Sequence, residues 1–128
     1  MTTALPTSAK AMASICTRDR ARAKAFYVDT LGCALKSEDR FAAVLDMNGI
    51  TLQLSTLKDF KPQPFTVLGW EVKNVEASVK ALTAKGVTFQ IYEGFGQNEL
   101  GIWTAPDKSA RVAWFTDTDG NILSLTQF

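Results

Sequence analysis

Residues 112–123 read VAWFTDTDGNIL, an apolar-rich run followed by an Asp-Gly turn and the start of a second apolar run. Asp-Gly is a strong short-range signal for a hairpin, because glycine readily adopts the positive φ that tight turns need. Similar turn chemistry occurs earlier, where residues 46–49 read DMNG between two further strand-like runs. The sequence therefore predicts one antiparallel hairpin in each half of the chain.

Each hairpin is preceded by a helix signal. Residues 20–31 and 75–85 carry apolar side chains at the spacing of an amphipathic helix. An Asp or Asn that can cap the helix precedes each stretch, and a Gly suited to a left-handed C-cap follows it. These capping residues are Asp19 and Gly32 for the first helix, and Asn74 and Gly86 for the second.

Short strand-like runs surround both helices. They cover 12–17, 34–37, 41–45 and 50–56 in the first half, and 66–72, 87–92, 100–104, 110–115 and 122–127 in the second. Each half thus reads as a strand, a helix and then strands that end in a hairpin. A βαβββ unit of ~50 residues cannot bury its sheet alone, so we expect two units to pack together.

This repeat predicts an α+β fold in a single domain over residues 11–128. The two modules should cover about 11–56 and 66–128. A Lys- and Pro-containing linker over 57–65 should join them, and a flexible lead over 1–10 should precede them.

Composition bears on the classes of partner that the protein can bind and on its cellular compartment. The 128-residue chain has 14 basic and 13 acidic side chains, for a net charge of +1, which gives no electrostatic argument for nucleic acid or an anionic membrane. Its apolar runs fall short of the ~20 residues that a bilayer span needs. The chain has 2 cysteines, and no secretion signal is recognised at its start, so we expect a cytoplasmic protein without disulfides.

Histidine is absent from the sequence. This removes the commonest general base, the commonest transition-metal ligand and every nucleophile–histidine dyad.

The run CTRDRARAKAFY over residues 16–27, followed by Leu31-Gly32, resembles the opening module of the glyoxalase/bleomycin-resistance/dioxygenase (vicinal oxygen chelate) superfamily. Residues 112–123, with their Asp-x-Asp-Gly-Asn turn, resemble the close of its second module. The resemblance extends from about residue 11 to the C-terminus. It implies two βαβββ modules that form a curled half-barrel sheet around a cup-shaped pocket.

Metal-dependent members of this superfamily place their ligands at the first residue of each module's first strand and in the middle of each last strand. The resemblance assigns these positions to Met12, Val67, Gln53 and Ser124. Only Gln53 is an ordinary oxygen ligand, and neither Met12 nor Val67 can serve a hard divalent ion. We therefore expect a member without a functional metal site and without a cofactor. Glyoxalase I and extradiol dioxygenase mechanisms are set aside, because they need a metal to polarise substrate oxygens.

Strand alternation predicts which side chains line the cup. Apolar faces should lie under the helices, while mixed faces with hydroxyls, an amide and a carboxylate should face the pocket. Trp103 and Trp114 offer stacking surfaces on adjoining strands, and Phe95 lies in a glycine-punctuated loop that is a candidate lid. The predicted ligand-binding residues are Ser14, Cys16, Gln53, Glu71, Phe95, Trp103, Trp114 and Ser124.

Most of these residues also have a purely structural interpretation. Cys16, Ser14 and Ser124 can be packing residues, and Gln53 can be a solvated amide. Glu71 is a candidate base if it is desolvated, or else a rim carboxylate paired with a nearby Arg or Lys.

Three functions remain open from the sequence. The first is the binding of a small organic, possibly aromatic, ligand in the cup. The second is a metal-free lyase or isomerase with Glu71 as its base. The third is an accessory subunit that is retained for dimerisation and binds no ligand. By analogy with the superfamily, we also expect a homodimer.

Overall fold

The structure is a computed structural model, which describes residues 4–128. Residues 1–3, and with them part of the predicted lead over 1–10, lie outside the described residues. The first half contains β1 (Met12–Thr17), α1 (Arg20–Ala25) with a π-helical continuation (Phe26–Thr30), β2 (Ala34–Glu38), β3 (Ala42–Met47) and β4 (Ile50–Thr56). The second half contains β5 (Thr66–Glu71), α2 (Val75–Ala84), β6 (Ile102–Thr104), β7 (Arg111–Thr116) and β8 (Ile122–Gln127).

The described strands form two open four-stranded sheets with the same topology. Their orders are β1-β4-β3-β2 and β5-β8-β7-β6. In each sheet the first strand runs parallel to the last strand of its module, and the remaining neighbours are antiparallel. This arrangement confirms the predicted α+β class and the paired βαβββ modules.

The turn and cap signals act as the sequence predicts. Asn48 and Gly49 both have positive φ, 54° and 96°, between the paired residues Met47 and Ile50. This is the geometry of a two-residue hairpin turn. The Asp19 side chain accepts a hydrogen bond from the Arg22 N–H, and Asn74 caps the second helix in the same way. Gly32 and Gly86 take the left-handed conformation after the helices, with φ of 84° and 94°.

The first helix has the predicted extent but not a uniform geometry. Its second part is a π-helical segment, in which the Leu31 N–H donates to the Phe26 carbonyl. Such segments contain one extra residue per turn and so shift the direction of the side chains. Here the segment contains the fully buried Tyr27, whose hydroxyl donates to Asp117 at 2.7 Å.

The predicted strand over residues 87–92 is wrong. This stretch makes only an isolated bridge between Phe89 and Phe115. The reason lies in the Gln97 side chain, which bonds the Gln90 carbonyl and the Tyr92 N–H and so occupies groups that a strand ladder would use.

The core lies between the helices and the inner faces of the two sheets. Leu52 and Leu54 on β4, and Phe115 and Leu123 on the second sheet, are fully buried. Trp70 stacks on Phe115 with ring centroids 6.3 Å apart and borders a cavity on the α2 side of the sheet. Within residues 4–128, no helix is long and apolar enough to cross a membrane.

Candidate functional site

The Asp-x-Asp-Gly-Asn turn joins the two modules. Asp119, which is 8% exposed, accepts hydrogen bonds from the Thr17 hydroxyl and from the backbone N–H and guanidinium of Arg18. Asn121 donates from its side chain to the Cys16 carbonyl at 3.1 Å. All of these partners belong to the start of the first module.

Asp117 organises the same turn from the inside. Its Oδ1 accepts the backbone N–H groups of Asp119 and Asn121, and its Oδ2 accepts the Tyr27 hydroxyl. Burial, followed by the charge of Asp117, raises the pKa of Tyr27. The carboxylates of Asp117 and Asp119 and the amide of Asn121 are therefore engaged in holding the fold, whereas the buried Thr118 hydroxyl has no hydrogen-bond partner among the described residues.

Burial also acts to raise the pKa of Asp119. Hydrogen bonds from the Arg18 backbone, the Thr17 hydroxyl and the Arg18 guanidinium outweigh this effect, so the pKa of Asp119 is lowered from its usual value. Asp119 is consequently held as a charged acceptor at the contact between the modules.

The second sheet carries a cluster of four aromatic rings, here called the aromatic cluster: Tyr92, Phe95, Trp103 and Trp114. Trp114 lies at its centre, with ring centroids 5.7 Å from Tyr92, 6.0 Å from Phe95 and 6.5 Å from Trp103. The first two pairs are edge-to-face, the arrangement that aromatic quadrupoles favour. The structure thus brings together the three aromatic residues that the sequence suggested, and adds Tyr92.

A cavity of about 370 Å³, here called the aromatic pocket, opens beside this cluster. Its lining consists of Pro64, Phe65, Thr66, Tyr92, Phe95, Trp114 and Ile122. None of these side chains carries a charge at neutral pH, and the polar side-chain groups of the lining are the Thr66 and Tyr92 hydroxyls and the Trp114 indole N–H. The sequence reasoning missed Tyr92 and the linker residues Pro64 and Phe65, because no local pattern shows that the linker passes this face of the sheet.

Ser14 and Cys16 lie elsewhere. They line a larger cavity of about 480 Å³ between β1, β5 and the linker, here called the linker pocket. Its lining includes Asp59 and Lys61, so it is more polar in character than the aromatic pocket. Cys16 is half-buried, and its carbonyl is engaged by Asn121.

Gln53 and Ser124 occupy matching central positions on the two sheets. Gln53 pairs with Ser14 and Val44, and Ser124 pairs with Gly69 and Trp114. Gln53 is half-buried and lines neither the aromatic pocket nor the linker pocket.

Ser124 is 8% exposed, and its hydroxyl fills the space left by Gly69. A Cβ added at Gly69 would lie 2.5 Å from the Ser124 Oγ. This close contact favours the packing interpretation of Ser124.

Glu71 is exposed at the end of β5, where it borders a cavity on the α2 side together with Trp70. Within residues 4–128, Glu71 forms none of the ion pairs. The interpretation of Glu71 as a rim carboxylate paired with an Arg or Lys therefore finds no support there. The eight predicted site residues therefore do not converge on one site: Phe95, Trp103 and Trp114 form one group, with Ser124 beside Trp114. Ser14 and Cys16 form a second group, with Gln53 paired to Ser14 on the neighbouring strand, while Glu71 lies apart from both.

The positions that hold a metal in metal-dependent relatives do not fit one here. Met12 and Val67 are exposed apolar side chains, 55% and 38% accessible. Gln53 is a neutral amide, and the Ser124 hydroxyl is packed against Gly69. Across the described part of the chain, no group of three or more Asp, Glu, Cys or His side chains is placed to bind a metal ion. This donor set is unsuited to a divalent cation.

Comparison with solved structures shows the same fold in diverse bacterial proteins. A glyoxalase/bleomycin resistance protein/dioxygenase from Alicyclobacillus acidocaldarius is 18% identical, with a TM-score of 0.73 over 94% of this chain and 92% of that one. A lactoylglutathione lyase from Agrobacterium tumefaciens is 13% identical, with a TM-score of 0.72 over 95% of each chain. The fosfomycin resistance protein FosX from Listeria monocytogenes is 11% identical, with a TM-score of 0.74 over 96% of this chain and 95% of that one. At these identities the likeness concerns the fold alone.

Among curated proteins, none matches the chain in sequence. The family model for the Glyoxalase/Bleomycin resistance protein/Dioxygenase superfamily matches residues 10–125, nearly the whole chain. With this match, the repeated βαβββ topology and the intermodule turn, the chain belongs to the glyoxalase/bleomycin resistance protein/dioxygenase superfamily.

Proposed function

We propose that this protein binds a small, flat, uncharged aromatic compound in the aromatic pocket and does so without a metal. The observation that carries the proposal is the pocket itself, which combines four aromatic side chains with a lining free of charged side chains. Concave, mostly apolar sites with a few polar groups are typical of small-molecule binding.

The chemistry of the lining favours one class of ligand over others. The exposed face of an aromatic cluster can stack on a planar ring, and aromatic pairs contribute about 0.5–1.5 kcal/mol beyond the area they bury. A charged ligand would lose hydration on entry, and none of the lining side chains offers an opposite charge in return.

The test replaces Trp114, the ring at the centre of the cluster. N-phenylnaphthylamine is an uncharged aromatic amine whose fluorescence rises in apolar sites, so its titration reports binding directly. Trp114→Ala should weaken its binding by about tenfold or more, because it removes both stacking and buried area.

Trp70→Phe is the matched control. Trp70 is also half-buried, but it stacks on Phe115 on the α2 side and does not line the aromatic pocket. Binding should therefore stay within about twofold of wild type in this variant. Equal loss in both variants, or binding that Trp114→Ala leaves intact, would contradict the assignment of the site.

The alternative of a metal-free lyase or isomerase with Glu71 as base has less support. A carboxylate becomes a base near neutral pH when it is desolvated, whereas Glu71 is exposed and lies on the α2 side. The accessory-subunit alternative predicts that no member of a panel of organic ligands binds.

The proposal includes a cytoplasmic homodimer. Members of the superfamily often dimerise, and among the strands of residues 4–128 β1 and β5 each lie at the end of a sheet, where one edge has no strand neighbour. Light scattering of the purified protein should give twice the mass of one chain, and a monomer at micromolar concentration would contradict the dimer.

A further inference from the structure

We propose that Gln97 is a positioning residue that holds Phe95 against Trp114, so that the aromatic pocket is preformed before any ligand binds. This inference rests on the proposed function for its consequence in binding, but the positioning itself is independent of any ligand.

The side-chain amide of Gln97 forms hydrogen bonds to the backbone at both ends of the loop. Its Oε1 accepts the Tyr92 N–H at 2.7 Å, while its Nε2 donates to the carbonyls of Gln90 at 2.9 Å and Gly101 at 2.8 Å. One half-buried side chain therefore ties the start of the loop to its end.

Phe95 itself has few restraints of its own. It is 52% exposed, and its backbone N–H bonds the Tyr92 carbonyl at 3.1 Å. It stands between Gly94 and Gly96, whose φ values of 85° and 70° belong to the left-handed region that glycine adopts freely. A ring flanked by two glycines samples many orientations unless the loop that carries it is tied down.

The far end of the loop is fastened separately. The Asn98 Oδ1 accepts the N–H groups of Leu100 at 3.0 Å and Ile102 at 2.9 Å, which anchors the entry to β6. Through its side chain, Gln97 thus connects this anchored end with residues 90–92. Loss of its amide should free the Tyr92–Phe95 turn while β6 stays in place.

The hydrogen bonds of Gln97 affect ligand affinity because they preorganise the pocket. A site whose rings are already placed does not lose affinity to the cost of ordering them. The structure thus assigns a role in affinity to a residue that does not line the aromatic pocket.

The first experiment measures positioning without a ligand. In a Trp70→Phe, Trp103→Phe background, Trp114 is the sole tryptophan, and acrylamide quenching reports how well Phe95 covers it. Gln97→Ala should raise the quenching constant about twofold, because the loop then opens locally. Glu99→Ala is the matched control, since Glu99 is exposed in the same loop and should leave the quenching unchanged. Unchanged quenching in a folded Gln97→Ala protein would overturn the proposal.

A second variant guards against misfolding. Gln97→Glu keeps the acceptor for the Tyr92 N–H but loses both donors and places a carboxylate oxygen against the carbonyls of Gln90 and Gly101. It should shift quenching in the same direction as Gln97→Ala, with an unchanged far-ultraviolet circular dichroism spectrum. Quenching equal to wild type in this variant also counts against the proposal.

The second experiment is a double-mutant cycle with N-phenylnaphthylamine. Gln97→Ala should weaken binding about tenfold in the wild-type background but no more than about twofold further in Phe95→Ala, because its effect passes through the turn that carries Phe95. Additive losses would show that Gln97 acts in another way. If the wild-type protein does not bind the compound, the proposed function fails, while the quenching result still decides whether Gln97 positions Phe95.

Discussion

Asp119 lies at the contact between the two modules, where its carboxylate accepts hydrogen bonds from the Thr17 hydroxyl and the Arg18 backbone N–H. The sequence marked this residue as part of a turn signature and gave no reason for a carboxylate at that position. Its partners are about 100 residues away in the chain, and a contact of that kind leaves no local pattern. A buried acceptor with several charge-assisted hydrogen bonds is expected to contribute substantially to stability.

Asp119→Asn should lower the free energy of unfolding by about 1–3 kcal/mol at pH 7, because a neutral amide cannot serve all the donors that face it. The pKa of Asp119 is lowered in the folded state, so its stabilising contribution is present above the unfolded value of ~3.9 and is lost as pH falls through the folded pKa. The difference in the free energy of unfolding between wild type and Asp119→Asn should therefore become smaller below about pH 4. Urea unfolding at several pH values measures this, and a constant difference down to pH 2 would argue against a charged Asp119 at the contact.

At the scale of elements, β5 and β8 approach closely at Gly69 and Ser124, which are paired across the two strands. Because a Cβ at Gly69 would lie 2.5 Å from the Ser124 Oγ, a larger residue at that position forces the buried Ser124 hydroxyl to move. Gly69→Ala should lower the free energy of unfolding by about 1–3 kcal/mol, the usual cost of overpacking.

Ser124→Ala should restore most of that loss when it is combined with Gly69→Ala, because it removes the oxygen that clashes. The remaining Ser124 atoms lie 3.4 Å or more from the added Cβ. Denaturation of both single variants and the double variant completes the cycle. Simple additivity of the two changes would show that the strain arises elsewhere.

The elements also show where sequence reasoning succeeds. Caps, hairpin turns and most strands follow from local chemistry, as the Asp19 cap and the Asn48-Gly49 turn illustrate. The prediction of a strand over 87–92 is wrong because the side chain of Gln97, several residues further along the chain, forms hydrogen bonds with the Gln90 carbonyl and the Tyr92 N–H. A side chain that competes with a sheet ladder from within a loop is invisible to a periodicity argument.

At the scale of the whole molecule, the separation of the predicted site residues has a simple cause. Strand alternation places residues on a face but does not say which parts of that face lie beside a cavity. The linker runs past the start of β5, so that Gln63 borders the linker pocket and Pro64 borders the aromatic pocket. The aromatic group Phe95, Trp103 and Trp114 could be suggested from residue type, but its association with the linker could not.

The superfamily fold in this chain thus combines an intermodule hydrogen-bond network, a donor set unsuited to a metal and an uncharged aromatic pocket. We propose that the protein binds flat, uncharged aromatic compounds and that divalent metals do not contribute to this binding.

Thermal unfolding with and without ligand tests this claim most directly. The panel consists of indole, naphthol and N-phenylnaphthylamine on one side, and equimolar Zn²⁺ and Mn²⁺ on the other. A ligand at about 100 times its Kd adds about 2.7 kcal/mol, which corresponds to a rise in Tm of roughly 10 °C for a chain of this size. We predict such a rise with at least one aromatic compound, its loss in Trp114→Ala, and no rise with either metal. A rise of that size with an equimolar metal, and none with any aromatic compound, would contradict the account.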